Sequence, residues 1–145
     1  MKFFIFIYCF LLLITGCQSQ SKENKPFEKE MSSDLFTLLV KIEKIEKSKI
    51  NVHTELVYTG DQSVKFVHSD PLVGVVLGDG LTRPEIVNSF VGISGTLVKN
   101  QVHSYDKDRV FEIQPVDKII YTEAFLTSND EKKVIDLEIN LDEIK

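Results

Sequence analysis

Apolar and polar residues alternate strictly in the last segment of the chain. Single polar residues separate four aliphatic ones, which are Ile135, Leu137, Ile139 and Leu141. Neighbouring side chains of a β-strand point to opposite faces, so this period of two predicts a strand with one face on a core and one in water. A chain that contains such a segment has to build a sheet with one buried face.

The same period recurs along the chain from about residue 35 onward. Further strands are predicted at 50–58, 64–66, 72–77, 90–98, 110–113 and 118–126. Turn-forming residues separate these runs, at 59–62, 78–80 and 128–131. About eight short strands with a turn about every ten residues predict an all-β fold, an antiparallel β-sandwich. A barrel remains the alternative to the sandwich.

The segment 35–46 fits two periods. Leu35, Leu38, Leu39, Ile42 and Ile45 form a helical stripe, whereas Phe36, Leu38, Val40 and Ile42 form one face of a strand. We predict a strand because β-branched residues favour it. A helix here would make the fold α+β.

The N-terminus carries a targeting pattern. Lys2 precedes an unbroken apolar run over 3–14, which is shorter than the roughly 20 residues that span a bilayer. The run closes on Ile14-Thr15-Gly16-Cys17, which resembles the cleavage and lipidation motif of bacterial lipoproteins. This resemblance implies that residues 1–16 are a signal peptide and that the Cys17 sulfur carries diacylglycerol. Two acyl chains are sufficient for stable membrane anchoring.

Three regions follow from this pattern. Residues 1–16 are expected to be the signal peptide, 17–34 a lipidated flexible tether that is too polar to fold, and 35–145 the β-sandwich domain. Because Cys9 belongs to the signal peptide, the mature chain retains only Cys17. An internal disulfide and a cysteine metal site are therefore not expected.

The charge distribution limits the class of partner. The formal net charge is −5, and no run of five like charges occurs. Such a surface repels nucleic acid, so we expect no nucleic-acid partner. The expected partners are the membrane, through the Cys17 anchor, and an envelope protein.

The three histidines lack metal-ligand spacing. His53 lies on the polar face of its predicted strand and is expected to be solvated, and His103 is expected to be exposed in a polar loop. His68 shares the phase of Val64 and Phe66, so it is expected to point inward as a hydrogen-bonded core residue.

Motifs for catalysis or cofactor binding are not evident. Residues 106–108 and 129–131 offer oxygen ligands, but neither matches a calcium loop, so solvated loop charge is predicted. Gly78-Asp79-Gly80 lacks the following Gly-Lys of a phosphate loop, and Ser94 lacks the flanking pattern of a hydrolase nucleophile. We expect neither an enzyme nor a cofactor.

The stretch from Ile50 to Asp61, INVHTELVYTGD, consists of a strand followed by a Tyr-Thr-Gly-Asp turn. It is similar to bacterial immunoglobulin-like domains and to the Bacillus intracellular proteinase inhibitor (BsuPI) family. The resemblance implies a disulfide-free immunoglobulin-like domain over 35–145 and an inhibitory role.

Two functions are expected from these observations. The first is a non-enzymatic binding module on the extracytoplasmic face of the cell membrane, working through loops or an exposed strand edge. The alternative is a proteinase inhibitor, for which 80–84 and 100–109 are the candidate loops.

Overall fold

The computed structural model describes residues 25–84 and 92–144. The predicted signal peptide, Cys17 and Phe90 lie outside these ranges. Within them, the chain forms nine strands and a short 3-10 helix, Leu141–Glu143. The strands are β1 (Phe27–Ser33), β2 (Phe36–Glu46), β3 (Lys49–Tyr58), β4 (Val64–Gly78), β5 (Ile93–Leu97), β6 (Val102–His103), β7 (Arg109–Glu112), β8 (Ile119–Ser128) and β9 (Glu131–Asn140).

The strands form two antiparallel sheets packed face to face. The first sheet has the order β1-β2-β3, and both β6 and β7 pair with the free edge of β3. The second sheet has the order β5-β4-β8-β9. The predicted all-β antiparallel sandwich is confirmed, with the two-layer architecture that immunoglobulin domains also have.

A single core lies between the sheets, and the alternating residues fill it. Every second residue of β3 from Ile50 onward is buried, and β9 contributes Ile135, Leu137 and Ile139. Full burial of one such aliphatic side chain is worth about 1.5–3 kcal/mol. The period of two in the sequence therefore translates directly into the buried face of each sheet.

The ambiguous segment 35–46 is a strand, as predicted. Phe36, Leu38, Val40 and Ile42 are all buried on the inner face of β2. Leu35, which only the helical stripe would bury, is 49% exposed and lies in the turn before β2.

The predicted tether, 17–34, is wrong over its last part, because residues 27–33 form β1. This strand pairs with β2 from Phe27 opposite Ile42 to Ser33 opposite Phe36. It is an edge strand with mostly exposed side chains, so backbone hydrogen bonds hold it without an apolar alternation. Lys29 Nζ donates to the Glu138 carbonyl at 3.1 Å and ties β1 to β9 across the sandwich.

Two elements differ from the sequence-based expectation. The predicted strands 64–66 and 72–77 are parts of one strand, β4, whose pairing with β8 is interrupted between His68 and Val73. The polar loop predicted around His103 contains the two-residue strand β6, which pairs with Leu56 and Val57 of β3.

Candidate functional site

Three connections meet at one end of the sandwich, which we call the hairpin end. They are the β1–β2 turn, the β8–β9 turn and the β5–β6 connection, next to the end of β3 at Tyr58. Asp34, Asn100, Asn129 and Asp130 have positive φ in these connections. Asn and Asp tolerate this conformation, and a two-residue hairpin turn requires it. The chain enters β1 at Phe27, at the opposite end.

A cavity of about 440 Å³ opens at the hairpin end. Its apolar wall includes Phe36 and Tyr58, whose ring centroids are 5.3 Å apart. The Tyr58 hydroxyl donates to the Gln62 carbonyl at 2.7 Å, which fixes the ring. The lining consists of Asp34, Leu35, Phe36, Tyr58, Val64, Ser128, Asn129, Glu131 and Lys133. This cavity is the candidate binding site.

Lys133 sets the electrostatics of the cavity rim. It lies two residues before Ile135, on the same face of β9, and its side chain is only 14% exposed, so it points toward the core side near the start of the strand. Its ammonium group donates to Asp34 and contacts Glu131 at 3.4 Å. The hydrogen bond to Asp34 raises the pKa of Lys133, against the effect of burial. Sequence reasoning missed this residue, although its phase with Ile135 was a usable signal.

His68 points inward, as predicted, and is 2% exposed. Its Nδ1 lies 2.6 Å from the Ser69 carbonyl oxygen. The expected exposure of His103 is wrong, because its ring packs 5.2 Å from Phe66 and 5.4 Å from His68, centroid to centroid. The pairing of β6 with β3 places His103 there. Burial, and then the neighbouring His68, lower the pKa of His103.

The prediction of solvated charge at 106–108 is wrong for Asp106. Its carboxylate accepts the backbone N–H groups of Leu72 and Val73, at 3.0 and 2.7 Å. Arg109 Nη2 donates to the Val73 carbonyl at 3.2 Å. Asp106 in the loop between β6 and β7, together with Arg109 at the start of β7, thus supplies hydrogen-bond partners to the backbone of β4 next to the point where its pairing with β8 is interrupted.

His53 lies on the outer face of the first sheet, but its side chain is only 27% exposed. Its Nδ1 is 2.6 Å from Asp108, and its Nε2 is 3.1 Å from Glu55 and 3.4 Å from the Ser104 hydroxyl. The order Asp108–His53–Ser104 is that of a hydrolase triad. Glu55 is closer to Nε2 than Ser104 is, so this nitrogen faces a carboxylate and not the Ser104 hydroxyl that would have to be the nucleophile.

The His53 network gives a pH-dependent stability. Burial would lower the pKa of His53, but the hydrogen bonds to Asp108 and Glu55 outweigh burial and raise it. A raised pKa stabilises the fold below about pH 6.5, and this contribution is lost as the pH rises through the folded-state pKa. We expect His53→Gln to lower the free energy of unfolding by about 0.2–1 kcal/mol per ion pair below that pKa, and by less above it.

Urea unfolding of both proteins over a pH series measures this difference. The lowered pKa of His103 acts in the opposite direction but is common to both proteins, so it cancels. A stability difference between the two proteins that grows with pH would contradict the raised pKa of His53.

The remaining predicted residues are dispersed. Asn129 and Asp130 form the β8–β9 turn, Ser94 lies in β5, and Cys17 lies outside the described residues. Within 25–84 and 92–144, no group of three or more His, Cys, Asp or Glu residues is arranged to hold a metal ion. In the same ranges, no helix has the length and apolar character needed to cross a membrane.

No protein-family model matches the chain, and no curated protein and no solved structure matches it significantly.

Proposed function

We propose that the protein is a lipid-anchored binding module on the extracytoplasmic face of the cell membrane, without enzymatic activity, and that the hairpin end binds a protein partner. One observation carries this proposal: the cavity opens at the end of the sandwich opposite to Phe27, where the chain enters β1. An anchor at Cys17 would attach the domain from the Phe27 end.

The geometry would direct the cavity away from the membrane. Cys17 and Phe27 are about ten residues apart, a separation of at most about 35 Å in an extended chain. The seven residues of β1 then run about 23 Å toward the hairpin end. A tether of this length would place the cavity within reach of other envelope proteins.

The cavity has the composition of a small anchoring pocket. Its wall of Phe36, Tyr58 and Val64 would accept an apolar side chain of a partner, while Asp34, Glu131 and Lys133 form a polar rim. Buried apolar anchors surrounded by polar contacts supply most of the affinity in many protein interfaces.

A specific observation favours the proteinase inhibitor as the second candidate. Leu81 is 85% exposed in the loop after β4. Its N–H donates to Asp79 Oδ1 at 2.9 Å, and Arg83 Nη1 donates to the Gly80 carbonyl at 2.7 Å. An inhibitor loop needs such a braced segment with an exposed side chain.

Site-specific photocrosslinking in native membranes tests the proposal and separates the two functions. A photoreactive benzoylphenylalanine replaces Leu35 at the hairpin end, Ile45 near the opposite end, or Leu81. Leu35 and Ile45 are a matched pair, because they are 49% and 52% exposed and lie at either end of β2.

We expect one dominant protein crosslinked through position 35 and none through position 45. Equal capture at both positions, or none at either, would contradict a hairpin-end binding site. Capture of a protease through position 81 alone would support the proteinase inhibitor instead of the hairpin-end binding module.

A further inference from the structure

Three large aliphatic side chains are exposed at the end of the sandwich where the chain enters β1, which we call the entry end. Their exposed fractions are 52% for Ile45, 85% for Leu81 and 68% for Val116. Ile45 lies in the last part of β2, Leu81 follows β4, and Val116 lies between β7 and β8. Exposed apolar groups that gather on one surface mark sites of contact with a protein or a membrane.

Backbone hydrogen bonds join the three segments that carry these side chains. The Ile113 N–H donates to the Ser48 carbonyl at 2.7 Å and ties the β7–β8 connection to the β2–β3 turn. The Lys118 N–H donates to the Gly78 carbonyl at 2.8 Å and ties the same connection to the end of β4. The entry end is therefore one surface, and its three exposed side chains belong to connected segments.

Local backbone structure holds two of these side chains at an apex. Ile45 is the extra residue of a β-bulge, because the pairing of β2 with β3 shifts register between Lys44 and Glu46. Leu81 lies in the turn that its own N–H closes by donating to Asp79. Their exposure is therefore built into the fold.

Val116 is held by a turn that is closed in both directions. The Asp117 N–H donates to the Gln114 carbonyl at 3.0 Å, and the Gln114 N–H donates to the Asp117 carboxylate at 2.7 Å. At the hairpin end, the turn positions with positive φ carry polar residues, which are Asp34, Asn100, Asn129 and Asp130. The turns of the hairpin end thus suit water, whereas the apices of the entry end suit an apolar medium.

The proposed anchor would bring the entry end to the bilayer. Seven residues, 18–24, separate Cys17 from Lys25, so these two residues lie at most about 28 Å apart. β2 continues for four residues beyond Ile42, which is the partner of Phe27. Four residues of a strand extend about 13 Å, so the bulge at Ile45 projects past the point where the chain enters. A tether of this length lets the apices reach the bilayer and keeps them close to it.

The charge of the entry end also suits a lipid surface. The segments outside the strands at this end are 25–26, 47–48, 79–84, 113–118 and 141–144. They contain four basic and four acidic residues, whereas the whole chain has a formal net charge of −5. These segments therefore do not repel anionic headgroups as the chain as a whole does. A neutral end with apolar apices fits the interfacial layer of a bilayer.

We propose that Ile45, Leu81 and Val116 insert into the interfacial layer of the bilayer that carries the anchor, so that the entry end rests on the membrane. This inference rests on the proposed function, because the lipid at Cys17 brings the domain to that bilayer. It requires no partner at the hairpin end. The contact holds the domain upright and keeps the hairpin-end cavity facing away from the lipid.

Fluorescence quenching by lipids with a nitroxide on the acyl chain tests the contact. The lipidated chain is purified from membranes and reconstituted in vesicles of phosphatidylethanolamine and phosphatidylglycerol. The mature chain retains Cys17 alone, whose sulfur the lipid blocks, so an introduced cysteine is the one reactive thiol and carries the fluorophore. Leu35→Cys is the matched control at the hairpin end, because Leu35 is 49% exposed. The test variants are Ile45→Cys, Leu81→Cys and Val116→Cys.

We expect the labels at positions 45, 81 and 116 to be quenched and the label at position 35 to stay bright. An unquenched label at any of the three test positions, or equal quenching at position 35, overturns the proposal. Unquenched labels together with a protein crosslinked through position 45 would assign the entry end to a protein partner. A chain purified without lipid would remove the proposed function and this contact together, whereas a lipidated chain with unquenched labels removes the contact alone.

A second measurement follows the rotation of the domain on the vesicles. The lipidated chain with Ile45→Ser, Leu81→Ser and Val116→Ser keeps its anchor and its buried core, since all three changes are at exposed positions. The anisotropy decay of a label at position 35 is compared with that of the chain with native apices. We expect the native apices to leave a residual anisotropy and the serine variant to lose most of it. Equal residual anisotropy in the two chains would overturn the role of the three side chains.

Discussion

Replacement of Phe66 by alanine is expected to lower the free energy of unfolding by about 3–5 kcal/mol. Phe66 is 2% exposed and belongs to the core between the sheets. Its ring also packs against His68 and His103, so its removal leaves a cavity between the core and the imidazole pair. Urea unfolding followed by circular dichroism measures the loss.

Two variants control this result. Leu81→Ala removes a side chain that is 85% exposed and should change stability by no more than about 0.5 kcal/mol. Gly95→Ala would place a Cβ 2.6 Å from the Phe66 ring. Gly95→Ala should lower the free energy of unfolding of the otherwise native chain, and should lower it less in a chain that already carries Phe66→Ala. Additive effects of the two changes would contradict the packing of Phe66 on Gly95.

Replacement of Asp106 by alanine is expected to lower the free energy of unfolding by about 2–6 kcal/mol, because two N–H donors lose their acceptor. The carboxylate is the acceptor for the Leu72 and Val73 N–H groups, and each part-buried donor left without a partner costs about 1–3 kcal/mol. Amide hydrogen exchange provides a local measurement, because both amides should exchange faster in the variant.

Asp106→Asn is the matched control for this change. The asparagine oxygen can still accept a hydrogen bond from one of the two amides, so this variant should lose about half as much stability. Unchanged protection of Leu72 and Val73 in Asp106→Ala would show that the carboxylate does not hold β4.

Strands that bury one face could be predicted from the sequence. In β3 and β9, apolar side chains alternate because each strand has one face on the core, so the pattern and the structure have the same physical cause. The alternation of inward and outward side chains also correctly placed His68 on the buried face of its strand. It would also have placed Lys133 on the inner side, next to Ile135.

Elements held by backbone pairing could not be predicted in this way. β1 is polar because both its edge position and its exposure leave most side chains in water, and its composition resembles that of a tether. β6 has only two residues, too few for a period, yet its pairing with β3 buries part of His103.

The contacts that build the clusters join residues far apart in the chain. Asp106 contacts the backbone of Leu72 and Val73, and His53 contacts Asp108. Local sequence around each acidic residue shows only a polar loop. The strand order that brings these loops together depends on pairing across the whole domain, which single-residue patterns do not encode.

Mass spectrometry of the N-terminal peptide, isolated from membranes of the native cell, tests most directly that the protein works from a lipid anchor. We expect a chain that begins at Cys17 and carries a diacylglyceryl thioether, in the membrane fraction, and a Cys17→Ala variant without that lipid. A chain with an unmodified Cys17, recovered outside the membrane fraction, would contradict the anchor and with it the outward orientation of the hairpin end.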